Sequence, residues 1–132
     1  MITEDYVSFE VAKLLKEKGF ECEKDSITAM YNEIGKFHPL STAVDEYYYD
    51  YNDFDEYDYV APTLQMAMKW LRKVHEIFIR PNISFLYPIR YYCEIFCYGD
   101  NLKTQQDVTT ENFESPEEAC EAAIKYCLEN LI

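Results

Sequence analysis

Two groups of residues have types and spacing that could do chemistry. The first is the stretch 45–59, where seven carboxylates (Asp45, Glu46, Asp50, Asp53, Asp55, Glu56, Asp58) and six tyrosines share fifteen positions with no basic residue. Carboxylates at this density repel one another, so they must stay wet or meet something positive. Tyr47, Tyr49 and Tyr51 alternate and would share one face of a strand, with Tyr48, Asp50 and Asn52 on the other. One reading is an interaction surface, with carboxylates presented as phosphates are on nucleic acid and tyrosines supplying contact area. Its partner-binding residues would be Asp45, Glu46, Tyr47, Tyr49, Asp50, Tyr51, Asp53, Asp55, Glu56, Tyr57 and Asp58. The other reading is a solvated loop whose tyrosines fold back on the core, screened by Lys69, Arg72 and Lys73. A calcium loop fails on spacing. Counted from Asp53, the fifth position is Tyr57, the sixth is not glycine, and Leu64 stands where a bidentate glutamate belongs.

The second group is the five cysteines, Cys22, Cys93, Cys97, Cys120 and Cys127. Four thiolates could meet on zinc, but structural zinc takes closely spaced pairs from turns, and no C-x-x-C occurs. Cys93 and Cys97 share a strand face, and Cys120 and Cys127 share a helix stripe. All four read as small buried hydrophobes, with no metal site. Cys22, in an expected loop, reads as the exposed thiol. His75 and Cys93 would make a nucleophilic pair only if the fold joined them, and His75 continues an apolar stripe. His38, ahead of Pro39 in an expected turn, points to no chemistry. Glu117 and Glu118 are explained by a helix N-terminus rather than by acid–base catalysis. No catalytic residue and no cofactor is expected.

These groups sit in a chain of 132 residues, of which 48% are hydrophobic and 17% aromatic, enough to exclude a disordered or collagen-like chain. No apolar run reaches the ~18 residues that span a bilayer, so no membrane insertion is expected. The three glycines, Gly19, Gly35 and Gly99, do not cluster, which excludes a glycine-rich phosphate cradle. The net charge of −13 repels nucleic acid and anionic lipid, so direct nucleic-acid binding is not expected and a basic partner is favoured. Residues 1–5 are acidic and lack the positive start and apolar stretch of a secretory signal. With an odd cysteine count, this gives the expectation of a reducing, cytoplasmic compartment and free thiols.

The positioning elements follow from periodicity. A helix is predicted over 8–18, with Val7, Val11, Leu14 and Leu15 on one stripe and Gly19 ending it. A strand over 27–31, a turn over 32–35 and a return strand from Phe37 come next. The central helix has Pro62 in its first turn, an apolar stripe of Leu64, Ala67, Met68, Leu71, Val74 and His75, and Met66 and Trp70 widening it. Three strand candidates follow at 77–85, 89–98 and 102–109. Pro81 marks the first as an edge or a break, and residues 99–101 read as a hairpin turn. The last helix has Ser115 as N-cap, Pro116 as first residue and Glu118 closing a capping box. Its apolar face is Cys120, Ala123, Ile124, Cys127, Leu128 and Leu131. Strands and helices do not alternate regularly. The expected fold is therefore α+β, a single domain over 1–132, with an antiparallel sheet of about 4–5 strands and three helices mainly on one face.

The stretch Ala61-Pro62-Thr63-Leu64-Gln65-Met66-Ala67-Met68-Lys69-Trp70-Leu71-Arg72-Lys73-Val74-His75 resembles a motif of short uncharacterised proteins from gut Bacteroides genomes and their phages, prophages and conjugative elements. Residues 6–15 and 117–128 are similar to the same group, and the three blocks cover under a third of the chain. The resemblance implies a mobile-element or phage setting and carries over no activity and no catalytic residue. The expected function is that of a small acidic interaction protein, not an enzyme, binding a basic protein partner through 45–59. Rival readings are a small metal protein or enzyme built on cysteine and carboxylate, and a structural protein that self-associates. The strand edge at Pro81 is one place where a homodimer could form.

Overall fold

The computed structural model describes residues 4–40, 56–85, 87–98, 105–108 and 112–132. The chain is α+β, and it divides into two compact units, Met1–Thr63 and Leu64–Ile132.

The first unit opens with α1, Phe9–Glu17. Ser8 caps it, its hydroxyl accepting from the Val11 amide at 3.2 Å. At the other end the Phe20 amide reaches the Leu15 carbonyl, and the Gly19 amide reaches that of Lys16. That is the paired closure of a helix whose next residue is left-handed, and Gly19 has φ +87. Val11, Ala12 and Leu15 form the buried stripe and Leu14 is half-buried. After a single 3-10 turn, Lys24–Ser26, come β1 (Ala29–Tyr31) and β2 (Phe37–Pro39). The turn between them is organised by Asn32, whose side-chain oxygen accepts from the amides of Ile34 and Lys36. β3, Tyr59–Val60, returns to the other edge of β1 and gives the order β2-β1-β3, all antiparallel.

The second unit holds α2 (Leu64–His75), the strands β4 (Ile77–Ser84), β5 (Arg90–Cys97) and β6 (Gln105–Val108), and α3 (Pro116–Asn130). The sheet is the antiparallel meander β4-β5-β6, and α2 and α3 pack against its strands. The central strand β5 buries Cys93, Glu94 and Ile95 in succession; Glu94, on the face opposite its two neighbours, is covered by Arg80 and Asn82 of β4. The α3 face expected from the sequence is buried at Cys120, Ala123, Ile124, Cys127 and Leu128. Ser115 accepts from the Glu118 amide at 3.1 Å, but the Glu118 carboxylate reaches back to the Glu114 amide, one residue beyond the capping-box position. No helix among the described residues is long and apolar enough to cross a membrane.

Three expectations need correction. Among the described residues the strands form two sheets of three rather than one of 4–5, because each strand pairs with neighbours on its own side of the α2 sequence. Pro62 precedes α2 by two residues. Its carbonyl accepts from the Val7 amide while Thr63 bridges Tyr6, so this stretch is held extended. Val74 is exposed, because the buried arc of α2 is carried by Leu64, Ala67, Trp70 and Leu71, ahead of its last turn. Pro81 does mark an edge among the described residues: there β4 is bordered by β5 alone, and it runs through Pro81 without a break. The expected turn at 99–101 lies outside the described residues.

Between α2 and β4 stands Glu76, with φ +55. A left-handed residue here closes the helix as Gly19 closes α1, but it carries a side chain, at a cost of roughly 1–2 kcal/mol. Tyr98 secures the corner twice. Its amide donates to the Glu76 carbonyl and its hydroxyl to the Arg72 carbonyl, one of the last-turn acceptors of α2. Glu76→Gly is expected to raise the unfolding free energy by about 1 kcal/mol. A urea titration of the two proteins checks this, and a lower midpoint for the glycine variant would contradict it.

Candidate functional site

The first sheet lays an aromatic row across its three strands. Register places Tyr31 opposite Phe37 on one side and opposite Tyr59 on the other. The Tyr31 and Phe37 rings meet at 5.4 Å, and Phe9 of α1 bridges Tyr31 and Tyr59 at 5.5 Å from each. Tyr6 extends the row beyond Phe37 at 5.3 Å. Two hydroxyls tie the row to the backbone side of the unit: Tyr31 donates to the Val7 carbonyl, and Tyr6 bonds the Thr28 hydroxyl. Edge-on and tilted contacts of this kind stabilise beyond their buried area by about 0.5–1.5 kcal/mol per pair.

This row fixes the C-terminal end of the acid-tyrosine stretch. Tyr59 and Val60 are its β3 anchor, and residues 56–58 lead into it. Lys16 completes the anchor. Its ammonium lies 4.8 Å over the Tyr59 ring and donates to the main-chain carbonyls of Glu56 and of Asp58, the latter at 3.0 Å. Because Lys16 takes carbonyl oxygens, it fastens the chain without using the carboxylates. Glu56 is exposed, Tyr57 is 62% exposed and Asp58 is half-buried. Together with Lys13, Glu17 and Glu33, residues Glu56, Tyr57 and Tyr59 line an open cleft of about 480 Å³. Lys13 meanwhile covers the Phe9 ring at 4.6 Å.

Asp58 also bears on His38, which is buried on β2 opposite Met30. Burial lowers the His38 imidazole below its ordinary value, Lys36 adds to that, and the Asp58 carboxylate opposes it. Of the expected contact residues, the structure brings Glu56 and Tyr57 to the lining of one cleft, while Asp58 bears on His38. Asp45, Glu46, Tyr47, Tyr49, Asp50, Tyr51, Asp53 and Asp55 lie outside the described residues. Lys16 was missed from sequence. It occupies the outward face of α1, as its spacing requires, and only the return of β3 to β1 brings residues 56–58 to it.

Lys16→Met keeps the stem and removes the donor. It is expected to cost about 1 kcal/mol and to speed amide exchange at Tyr57, Asp58 and Tyr59. Exchange rates unchanged at these three amides would show that the ammonium does not hold the segment.

Cys93, Cys120 and Cys127 are buried in the second unit, Cys97 is half-buried, and none of the five cysteines is in a disulfide. No group of three or more His, Cys, Asp or Glu among the described residues is arranged to hold a metal ion. Cys22, expected to be exposed, is half-buried, and burial pushes its thiol up. His75 meets the Trp70 ring edge-on at 4.7 Å, burial lowers its imidazole, and its Nε2 is buried with no hydrogen-bond partner among the described residues.

Another residue missed from sequence is Glu94, buried in the middle of β5. It stands directly opposite Arg80 and accepts from that guanidinium at 2.7 Å and from the Asn82 amide at 2.9 Å. The Arg80 side chain is 54% exposed, so this pair fixes register more than it stabilises. No protein-family model, curated protein or solved structure matches this chain.

Proposed function

We propose that this is an acidic interaction protein without catalytic activity of its own, which binds a basic protein partner through the acid-tyrosine segment 45–59. The observation that supports this reading best is the composition of that segment, which holds −7 of the chain's −13. The anchoring of its C-terminal end adds to it. Lys16 and the Tyr59 ring hold residues 56–58 by main chain and aromatic face, so the Glu56 carboxylate and the Tyr57 ring remain at the surface. Exposed tyrosine beside carboxylate is the composition of a contact surface for lysine- and arginine-rich partners. The aromatic face takes the cation and the carboxylate takes its hydrogen bonds. The resemblance noted above favours a cytoplasmic partner in mobile-element or phage biology, such as a nucleic-acid enzyme, a defence protein or an element-encoded regulator.

The test is a pull-down from host lysate at low and moderate salt. The native chain is run beside a variant with Asp45, Glu46, Asp50, Asp53, Asp55, Glu56 and Asp58 changed to Asn or Gln. The expected result is a partner that weakens with salt and is lost in the variant. The same partners on both baits would return the segment to a solvated loop.

A further inference from the structure

Beside the cleft at the end of the acid-tyrosine segment, the first unit holds a second recess of different character. It has a volume of about 300 Å³ and is walled by α1, β1 and β3. Ala12 and Leu15 of α1 and Met30 of β1 are almost fully buried and form its floor. Phe20, just past the helix, and Val60 of β3 are half-buried and form its sides. Ala12 contributes only a methyl, where a larger side chain would fill the space. The remaining lining residues, Lys16, Glu56 and Asp58, are all charged and stand nearer to solvent. Lys16 and Glu56 also line the neighbouring cleft, so the two openings share a wall. Charge decides what such a recess can take. Four carboxylates, Glu17, Glu33, Glu56 and Asp58, stand around the two openings against two ammonium groups. Both ammonium groups already have partners: Lys13 covers the Phe9 ring, and Lys16 holds the Tyr59 ring and the main chain of residues 56 and 58. An apolar floor under a net-negative mouth turns away an anion and accepts an aliphatic group flanked by cations. The volume lies at the lower limit of pockets that enclose a whole small molecule, and it suits one anchoring side chain of a larger partner.

We propose that this recess seats one aliphatic side chain of the basic partner, while a neighbouring arginine or lysine of the same segment enters the cleft beside it, among the Glu17, Glu33 and Glu56 carboxylates and the Tyr57 ring. The inference rests on the reading of segment 45–59 as a partner surface and adds the chemistry of what is recognised there: an apolar residue with basic neighbours. The two parts act differently. The buried side chain supplies affinity that salt does not weaken, and the carboxylates supply orientation and speed of encounter.

The test titrates the full chain, isotopically labelled, with the peptide acetyl-Arg-Arg-Leu-Arg-Arg-amide and with its counterpart carrying serine in place of leucine, at one moderate salt concentration. Binding is read by NMR. The expected result is that the leucine peptide shifts the methyl signals of Leu15, Met30 and Val60 and binds about tenfold more tightly than the serine peptide. In Ala12→Leu, whose larger side chain fills the recess, the two peptides should bind alike. The native chain decides the matter by itself, so a folding defect in that variant cannot obscure it. Equal affinity of the native chain for the two peptides, or a leucine preference that leaves those three methyl signals in place, would overturn the recess. With shifts at the amides of residues 56–59, either result would still leave the acid-tyrosine segment as the contact. Binding of neither peptide at about 2 mM would overturn both.

Discussion

Leu128→Ala is expected to lower the unfolding free energy by about 3 kcal/mol, inside the roughly 2–5 kcal/mol that such truncations cost. Leu128 is fully buried on the α3 stripe, one turn after Ile124 and next to Cys127, which are buried as well. That helix packs on β4, β5 and α2, so a void there has walls from several elements and cannot collapse by moving one. Ala119 and Ala123, both fully buried, bring the helix close to its neighbours and leave little room for repacking. Leu128→Met conserves volume and should cost less than about 1.5 kcal/mol. Urea denaturation of the three proteins checks both numbers. Equal midpoints for the native and alanine chains would mean that α3 is not part of a close-packed core.

Gly35→Ala is expected to cost about 2–3 kcal/mol, and Gly19→Ala about 1 kcal/mol. Both glycines are left-handed, at φ +91 and +87, so both substitutions meet the same backbone penalty. They differ in what the new methyl meets. At Gly19 nothing lies within 4 Å, whereas at Gly35 a Cβ would stand 2.7 Å from the Phe9 ring. That ring cannot easily yield, because Tyr31, Tyr59 and the Lys13 ammonium surround it. The difference between the two variants therefore measures the close approach of the β1–β2 turn to α1. Phe9→Leu in the Gly35→Ala background should recover part of the loss. Equal costs at the two glycines would contradict the contact.

What the sequence disclosed follows from range. The α1 and α3 boundaries were legible because Ser8, Gly19, Ser115 and Pro116 act on amides and carbonyls a few residues away. The Asn32–Gly35 turn was legible for the same reason. The division into two sheets was not, since a strand of two residues such as Tyr59–Val60 has no periodicity to read and is defined only by its partner β1. Val74 shows the same limit within a helix. Its spacing belongs to the apolar stripe, yet its burial depends on how far the covering elements extend. At the candidate site, the charge and tyrosine content of 45–59 could be read directly. The cleft beside its end could not, because Lys13, Lys16, Glu17 and Glu33 come from distant stretches. The buried thiols were legible as core residues from their helical and strand spacing.

The central claim is that the partner is held by the acid-tyrosine segment and not by the overall negative charge. The most direct measurement compares two variants with the same charge. One neutralises the seven carboxylates of 45–59. The other neutralises seven exposed acids elsewhere, Glu4, Asp5, Glu10, Glu21, Glu23, Asp25 and Glu114. Affinity for the captured partner is read by titration at one moderate salt concentration. The segment variant should bind about tenfold more weakly or worse, and the control should stay within about threefold of the native chain. Equal losses in both variants would show that net charge alone attracts the partner, and the segment would have no claim to be the site.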